Sequence, residues 1–253
     1  MATSFRGRSM GARSSAVRAH RSLALVLRRT PYGEADLVVT LFTEAEGKLS
    51  AIARAARKSQ RRFGGALEPL HTLEVELEER ANAEVLWLRE ARLCTLRPAL
   101  LENLAGLEAA GRFLGWLRHA APERTREPGL WQLSQTCLDA LDAQAASASA
   151  TPSATLTLAH YGLQLLVACG WRLELEHCVQ SGAPCPEGKA AMIDPELGGL
   201  VSRARGGASI TVSGAQRKRL ISAQAGAGDV LLEEDAELGL KLVEWSLKAH
   251  AGL

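Results

Sequence analysis

The chain has 253 residues, 47% hydrophobic and 23% charged, the balance of a soluble globular protein with a core of its own. No apolar run approaches the roughly 20 residues of a membrane-spanning helix, so no membrane partner is expected. The formal charge is only +2, but it is split: residues 1–65 hold 13 Lys/Arg against 4 Asp/Glu, and the rest hold 17 against 24. A basic front on an acidic body is the asymmetry of a chain that turns one face to a polyanion and another to something else.

Residues 1–18 are rich in Arg, Ser, Gly and Ala and contain no acid. They fit a disordered arm, a start at Met10 or an organellar transit peptide. From Arg21 to Thr95 the period is that of strands. Leu23, Leu25 and Leu27 alternate, Pro31-Tyr32-Gly33 breaks the run, and Leu37–Phe42 forms the next. Glu44–Gly47 is a turn into Lys48–Arg54, where Leu49, Ala51 and Ala53 alternate with Ser50, Ile52 and Arg54. Leu73, Val75 and Leu77 alternate with Glu74, Glu76 and Glu78, a wet strand face, and Val85–Leu96 makes a fifth strand. Five short strands in about 75 residues predict a small closed barrel of the OB type, and such barrels commonly bind single-stranded nucleic acid.

Between the third and fourth strands runs a loop with five cations and no acid: Arg54, Arg57, Lys58, Arg61 and Arg62. Desolvating that many unpaired charges is too costly for a core, so the loop stays in water or meets an anion. Tyr32, Phe42 and Phe63 lie near it in sequence. Cations along a phosphate chain with aromatics for base stacking make a sequence-tolerant DNA site. Arg28 and Arg29 are secondary candidates for the same site.

After Pro98 the period becomes helical. Leu100–Ala120, Gly129–Ala145 and Thr155–Cys169 are predicted helices, the last ended by Gly170, and Ala145–Ala154 reads as a linker. Trp116, Trp131 and Trp171 are packing anchors. Trp171–Gly207 is turn-rich, and helices return at Gly214–Gln224 and Glu233–His250. Five scattered cysteines and no apolar leader point to free thiols in a reducing cytoplasm.

No catalytic motif stands out. There is no phosphate-binding Gly loop ending in Lys-Ser/Thr, no His-Glu-x-x-His and no Gly-x-Ser-x-Gly, and the six histidines are dispersed, so no enzyme is expected. Two Cys-x-x-Cys pairs would signal zinc. Cys178-Val-Gln-Ser181 has one thiol where a pair needs two, and Gly198–Arg205 has none. His177 and Cys185 could complement Cys178, but Arg205 would repel a cation, so neither zinc nor another cofactor is expected.

With these residues laid out, the front of the chain resembles the RecO family of bacterial recombination mediators. The likeness rests on LALVLRR at 23–29, YGEADLVVTLFT at 32–43, EGKLSAIAR at 46–54 and ARKSxxRFGGALEPL at 56–70. A weaker block, Leu165-Leu166-x-x-x-Gly170-Trp171 with Leu175-x-x-Cys178, resembles the approach to that family's zinc module. The likeness covers roughly residues 22–205. It implies an α+β multidomain protein: a five-stranded OB-type barrel at 19–98, then an α-helical domain at 99–253 carrying a zinc-ribbon-like insert at 171–207. It further implies binding to single- and double-stranded DNA, annealing of complementary strands, and work with RecR that helps RecA displace single-strand-binding protein (SSB) in the RecF pathway. The acidic SSB C-terminal tail is expected to dock on the helical body. The insert departs from the family, since only Cys178 stands where zinc-binding members have two Cys-x-x-Cys pairs. The rival expectation is an adaptor that links SSB and RecR with little DNA binding of its own.

Overall fold

The computed structural model describes residues 18–79, 85–147, 152–202, 209–228 and 230–252. Arg205 and all of the expected N-terminal arm except Arg18 lie outside them. Five strands close a barrel in the order β1-β2-β3-β5-β4: β1 Arg18–Tyr32, β2 Asp36–Thr43, β3 Gly47–Ala53, β4 Thr72–Glu79 and β5 Leu86–Thr95. Closure depends on β1. Its first half pairs with β4 and its second half with β2, and a register shift between Val26 and Arg28 bends it from one to the other. A parallel pairing of β3 with β5 seals the remaining edge.

The alternation in β3, β4 and β5 sends Leu49, Ala51, Ala53, Leu73, Val75, Leu77, Leu86 and Leu88 into the barrel. In β1 the interior is lined by Ala24 and Val26. Leu25 and Leu27 point the other way, into a core shared with the helices, as does Phe42 of β2. Strand β1 is apolar on both faces from Leu23 to Leu27 because both are covered there. Pro31 does not end β1 as expected, since it still pairs with Leu37 and the turn comes at Gly33. The acidic face of β4 is wet at Glu74 and Glu79, but Glu78 is buried and holds Arg89 at 2.6 Å.

The helical domain follows as α2 Pro98–Glu102, α3 Leu104–Ala120, α4 Pro128–Ala146 and α5 Ala154–Ala168, with α6 Gly214–Gln224 and α7 Ala236–Ala251 after the insert. The single helix expected over Leu100–Ala120 is two, because extended Asn103 caps α3 by accepting a hydrogen bond from the Gly106 N–H. Helix α5 is central, packing against α3, α4 and α7. Gly162 permits the close approach: a Cβ there would stand 2.8 Å from the Trp116 ring and 3.0 Å from Val243. Trp116 and Trp131 are buried as expected of packing anchors, and Trp131 meets Phe42 at a ring separation of 5.9 Å. The expected linker is shorter than its composition suggested, since α4 runs to Ala146 and Ser153 already caps α5.

The insert is a four-stranded sheet, order β6-β8-β7-β9, from β6 Glu174–Cys178, β7 Ala191–Asp194, β8 Gly199–Val201 and β9 Ile210–Val212. Its thiol chemistry does not fit zinc. Cys178 and Cys185 line a cavity whose other walls are mainly Ala, Pro, Leu and Met, while His177 turns out to Glu174 at 3.6 Å. Among the described residues no three His, Cys, Asp or Glu gather as a metal site needs. The side chain of Ser181, the amides of Ser181 and Gln180, and Ser202 hydrogen-bond the Cys178 sulfur and hold its pKa down to about 6. Buried Arg217 binds the insert to α6, donating to the carbonyls of Leu175, Cys185 and Pro186.

Two junctions lock barrel to helices. Arg97, 1% exposed, donates to Asp139 at 2.8 Å, the Leu70 carbonyl at 2.8 Å, Thr72 at 3.1 Å and Gln135 at 3.0 Å. At the second, the Gly47 Cα lies so close to the segment before α4 that a Cβ would fall 1.8 Å from the Thr125 carbonyl oxygen. There Arg124 donates its N–H to the Lys48 carbonyl and pairs with Glu46 and Glu79. No helix among the described residues is long and apolar enough to cross a membrane.

Candidate nucleic-acid interface

The basic loop leaves β3 at Ala53 and is tied at once to the β1–β2 turn. The Ala55 N–H donates to Asp36 Oδ1 at 2.7 Å, the Arg57 N–H to the Ala35 carbonyl at 3.1 Å, and the Arg57 guanidinium to the Glu34 carbonyl at 3.2 Å. Ala55 takes φ +52°, a left-handed conformation unfavourable for any residue with a Cβ, and these bonds hold it there. The loop is not wholly irregular. Gln60–Phe63 form a single helical turn, α1, with Ser59 at its N-cap and left-handed Gly64 at its end.

The expected phosphate contacts divide into two groups. Arg62 is half-buried and structural: its guanidinium reaches the Arg54 carbonyl at 2.7 Å and Ser59 Oγ at 3.3 Å, tying both ends of the loop. Arg29 pairs with Glu68, an acid that the fold brings in from beyond the loop. Arg57 is exposed but partly engaged with Glu34. Arg54 lies over the Trp87 ring at 3.8 Å, where its charge stays open to solvent. Lys58, Arg61 and Arg28 are exposed and have no acidic partner among the described residues.

The expected stacking aromatics fare unevenly. Phe42 is fully buried against Trp131, and Phe63 is 2% exposed in the barrel core, so neither offers a face to a base. Both lie at inward strand or helix positions, where apolar burial outweighs display. Tyr32, at the β1–β2 turn, is 57% exposed and available. Trp87 was not among the expected residues. It lies outside the barrel between inward Leu86 and Leu88, and the β3–β5 register sets it beside Ile52. The Leu-Trp-Leu alternation signals its outward face, but the parallel neighbour that brings Arg54 to it is a tertiary fact.

One end of the barrel thus gathers Arg54 on Trp87, then Lys58 and Arg61, with Tyr32 on the adjoining turn. The surface presents exposed cations and, at Tyr32, an exposed ring. The family model described as "Recombination protein O N terminal" matches residues 17–97, and "Recombination protein O C terminal" matches 102–252. The chain belongs to the RecO family. Similar curated proteins are each described as DNA repair protein RecO. That of Anaeromyxobacter sp. strain K is 38% identical over 176 residues, 70% of this chain and 66% of the relative. That of Koribacter versatilis is 34% identical over 182 residues, 72% and 70%, and that of Geobacter sulfurreducens 36% over 166 residues, 66% and 65%. The chain therefore spans just under two thirds of the first of these RecO relatives.

Proposed function

We propose that this chain is a non-enzymatic DNA-repair and recombination mediator that binds single- and double-stranded DNA on the basic end of its barrel and anneals complementary strands. In this reading it acts with RecR to help load RecA onto DNA coated by SSB, and it meets the SSB tail through the helical domain. The observation that carries the DNA site is the exposed set Arg54, Lys58 and Arg61 on a loop that three hydrogen bonds pin to the β1–β2 turn. A pinned loop presents its charges without an ordering cost on binding. Annealing needs no catalytic residue, because lowering the repulsion between two phosphate backbones is sufficient.

Annealing of complementary oligonucleotides by the wild type and by Lys58→Glu/Arg61→Glu tests this reading. The variant is expected to lose most of the acceleration. Unchanged annealing would move the DNA elsewhere on the molecule.

The second reading is an adaptor that joins SSB and RecR and binds DNA weakly. One observation favours it: Arg29, Arg57 and Arg62 have partners within the protein, so fewer cations are free than the loop sequence offers. Both readings lose retention on SSB that lacks its tail, so binding of naked single-stranded DNA in the absence of SSB discriminates: a mediator binds it tightly and an adaptor weakly.

A further inference from the structure

Beside the exposed cations the barrel end opens into a cleft of about 480 Å³. Pro31 and Leu37 from the two arms of the β1–β2 hairpin form one wall and half-buried Ala56 the other. Gly65 and the buried Phe63 and Leu67 complete the lining without presenting a ring face. At its mouth stand Arg29, Arg57 and Glu68. The cleft is poorly suited to a phosphate. Arg29 is neutralised by Glu68, Arg57 is partly spent on the Glu34 carbonyl, and a phosphate drawn in beside the Glu68 carboxylate would be desolvated for little return. A flat group with apolar faces and polar edges suits its mixed lining better: Pro31, Leu37 and Ala56 offer apolar contact, and the Arg57 guanidinium stands at the entrance to lie against a ring.

We infer that this cleft takes one unpaired nucleobase from a strand whose phosphates rest on Lys58 and Arg61. The inference rests on the proposed DNA site and deepens it. Lys58 follows Arg57 directly, so a backbone tracking Lys58 and Arg61 passes the mouth of the cleft. A base in a duplex is held in its stack and pair, and extracting it is costly. In a single strand the same base enters at little cost. The cleft thereby makes the basic end favour single strands, whereas its cations alone would favour whichever form carries the denser charge.

The test uses the full chain and two fluorescent oligomers of equal length, oligo-dT and an abasic strand with the same phosphates. Wild type is expected to bind oligo-dT about tenfold more tightly than the abasic strand, with the same salt slope for both. Ala56→Phe, which puts a ring into the cleft, is expected to lower oligo-dT binding to the abasic level and leave abasic binding unchanged. The wild-type comparison stands by itself if that variant fails to fold. Equal wild-type binding of the two oligomers with a steep salt slope overturns the base cleft and leaves the DNA site intact. A preference for oligo-dT that survives in folded Ala56→Phe also overturns it. Failure to bind either oligomer overturns the DNA site, and the cleft with it.

Discussion

At the scale of single residues, the least expected feature is a fully buried cation. Arg97 is the last residue before α2, and nothing in its local sequence distinguishes it from the exposed arginines of β5. Its burial is tolerable because the Leu70 carbonyl, Thr72, Gln135 and Asp139 take up its donors, and Asp139 remains in contact with water. Arg97→Ala is expected to cost about 2–3 kcal/mol in urea denaturation, through orphaned acceptors and an unfilled volume. Beside it, His71 accepts the Arg97 N–H on Nδ1 at 3.2 Å, which requires the neutral ring. Burial first, and the Arg97 charge second, push the His71 pKa below its ordinary 6.5. The unfolded chain therefore binds this proton more readily than the folded one. Stability is full above about pH 6.5, falls as pH drops through that value, and levels off once the folded ring is also protonated. In His71→Asn, whose amide oxygen can still accept the Arg97 N–H, the part of the acid destabilisation due to this ring is expected to vanish from denaturation curves between pH 7 and 5. A curve parallel to wild type over that range would show that the ring is not the titrating group.

At the scale of elements, period-2 patterning in β3, β4 and β5 marks the interior residues directly in the sequence, because one face is apolar and the other polar. In β1 that contrast is lost. Leu23 to Leu27 are apolar without interruption, and only the docked helices reveal that Ala24 and Val26 are the barrel side. The α2–α3 break at Asn103 hides inside a continuous helical period for a similar reason: the apolar stripe continues across a one-residue cap. The basic loop was legible as a charged surface segment, but its internal use of Arg62 was not, since α1 is a single turn and too short to show a period. That turn has a testable role. Ser59 caps it and also receives Arg62 Nε. Ser59→Ala is expected to destabilise the protein by only about 1 kcal/mol, yet to weaken DNA binding several-fold by freeing the loop. Unaltered binding would mean that the loop needs no pre-ordering.

At the scale of the whole molecule, the barrel is held as part of the helical body. Its outer β1–β2 face is continuous with the helical core, the Arg97 junction lies at one contact, and the Gly47–Thr125 approach lies at another. Gly47→Val would drive a side chain into the Thr125 carbonyl at a residue with φ +71°. It is expected to lower the urea midpoint by more than Arg97→Ala does, and a wild-type midpoint would show that the two units are not packed as described. Fixing the barrel leaves its far end, with the pinned basic loop, as the outward surface of the basic front, while the acidic charge lies mostly on the helical side. The charge asymmetry legible in the sequence is thus concentrated at one end of the barrel, the end proposed to meet a phosphate backbone, while β4 carries Glu74, Glu76, Glu78 and Glu79 on the same barrel.

The most direct test of this account is the salt dependence of single-stranded DNA binding by the wild type and by Lys58→Ala/Arg61→Ala, two exposed cations without a structural partner among the described residues. The account predicts a steep wild-type slope that flattens by about 1.4 log units per log unit of salt in the variant, two contacts at about 0.7 each, with an unchanged melting curve. A slope identical in both proteins would contradict it and place any DNA contact away from the basic loop.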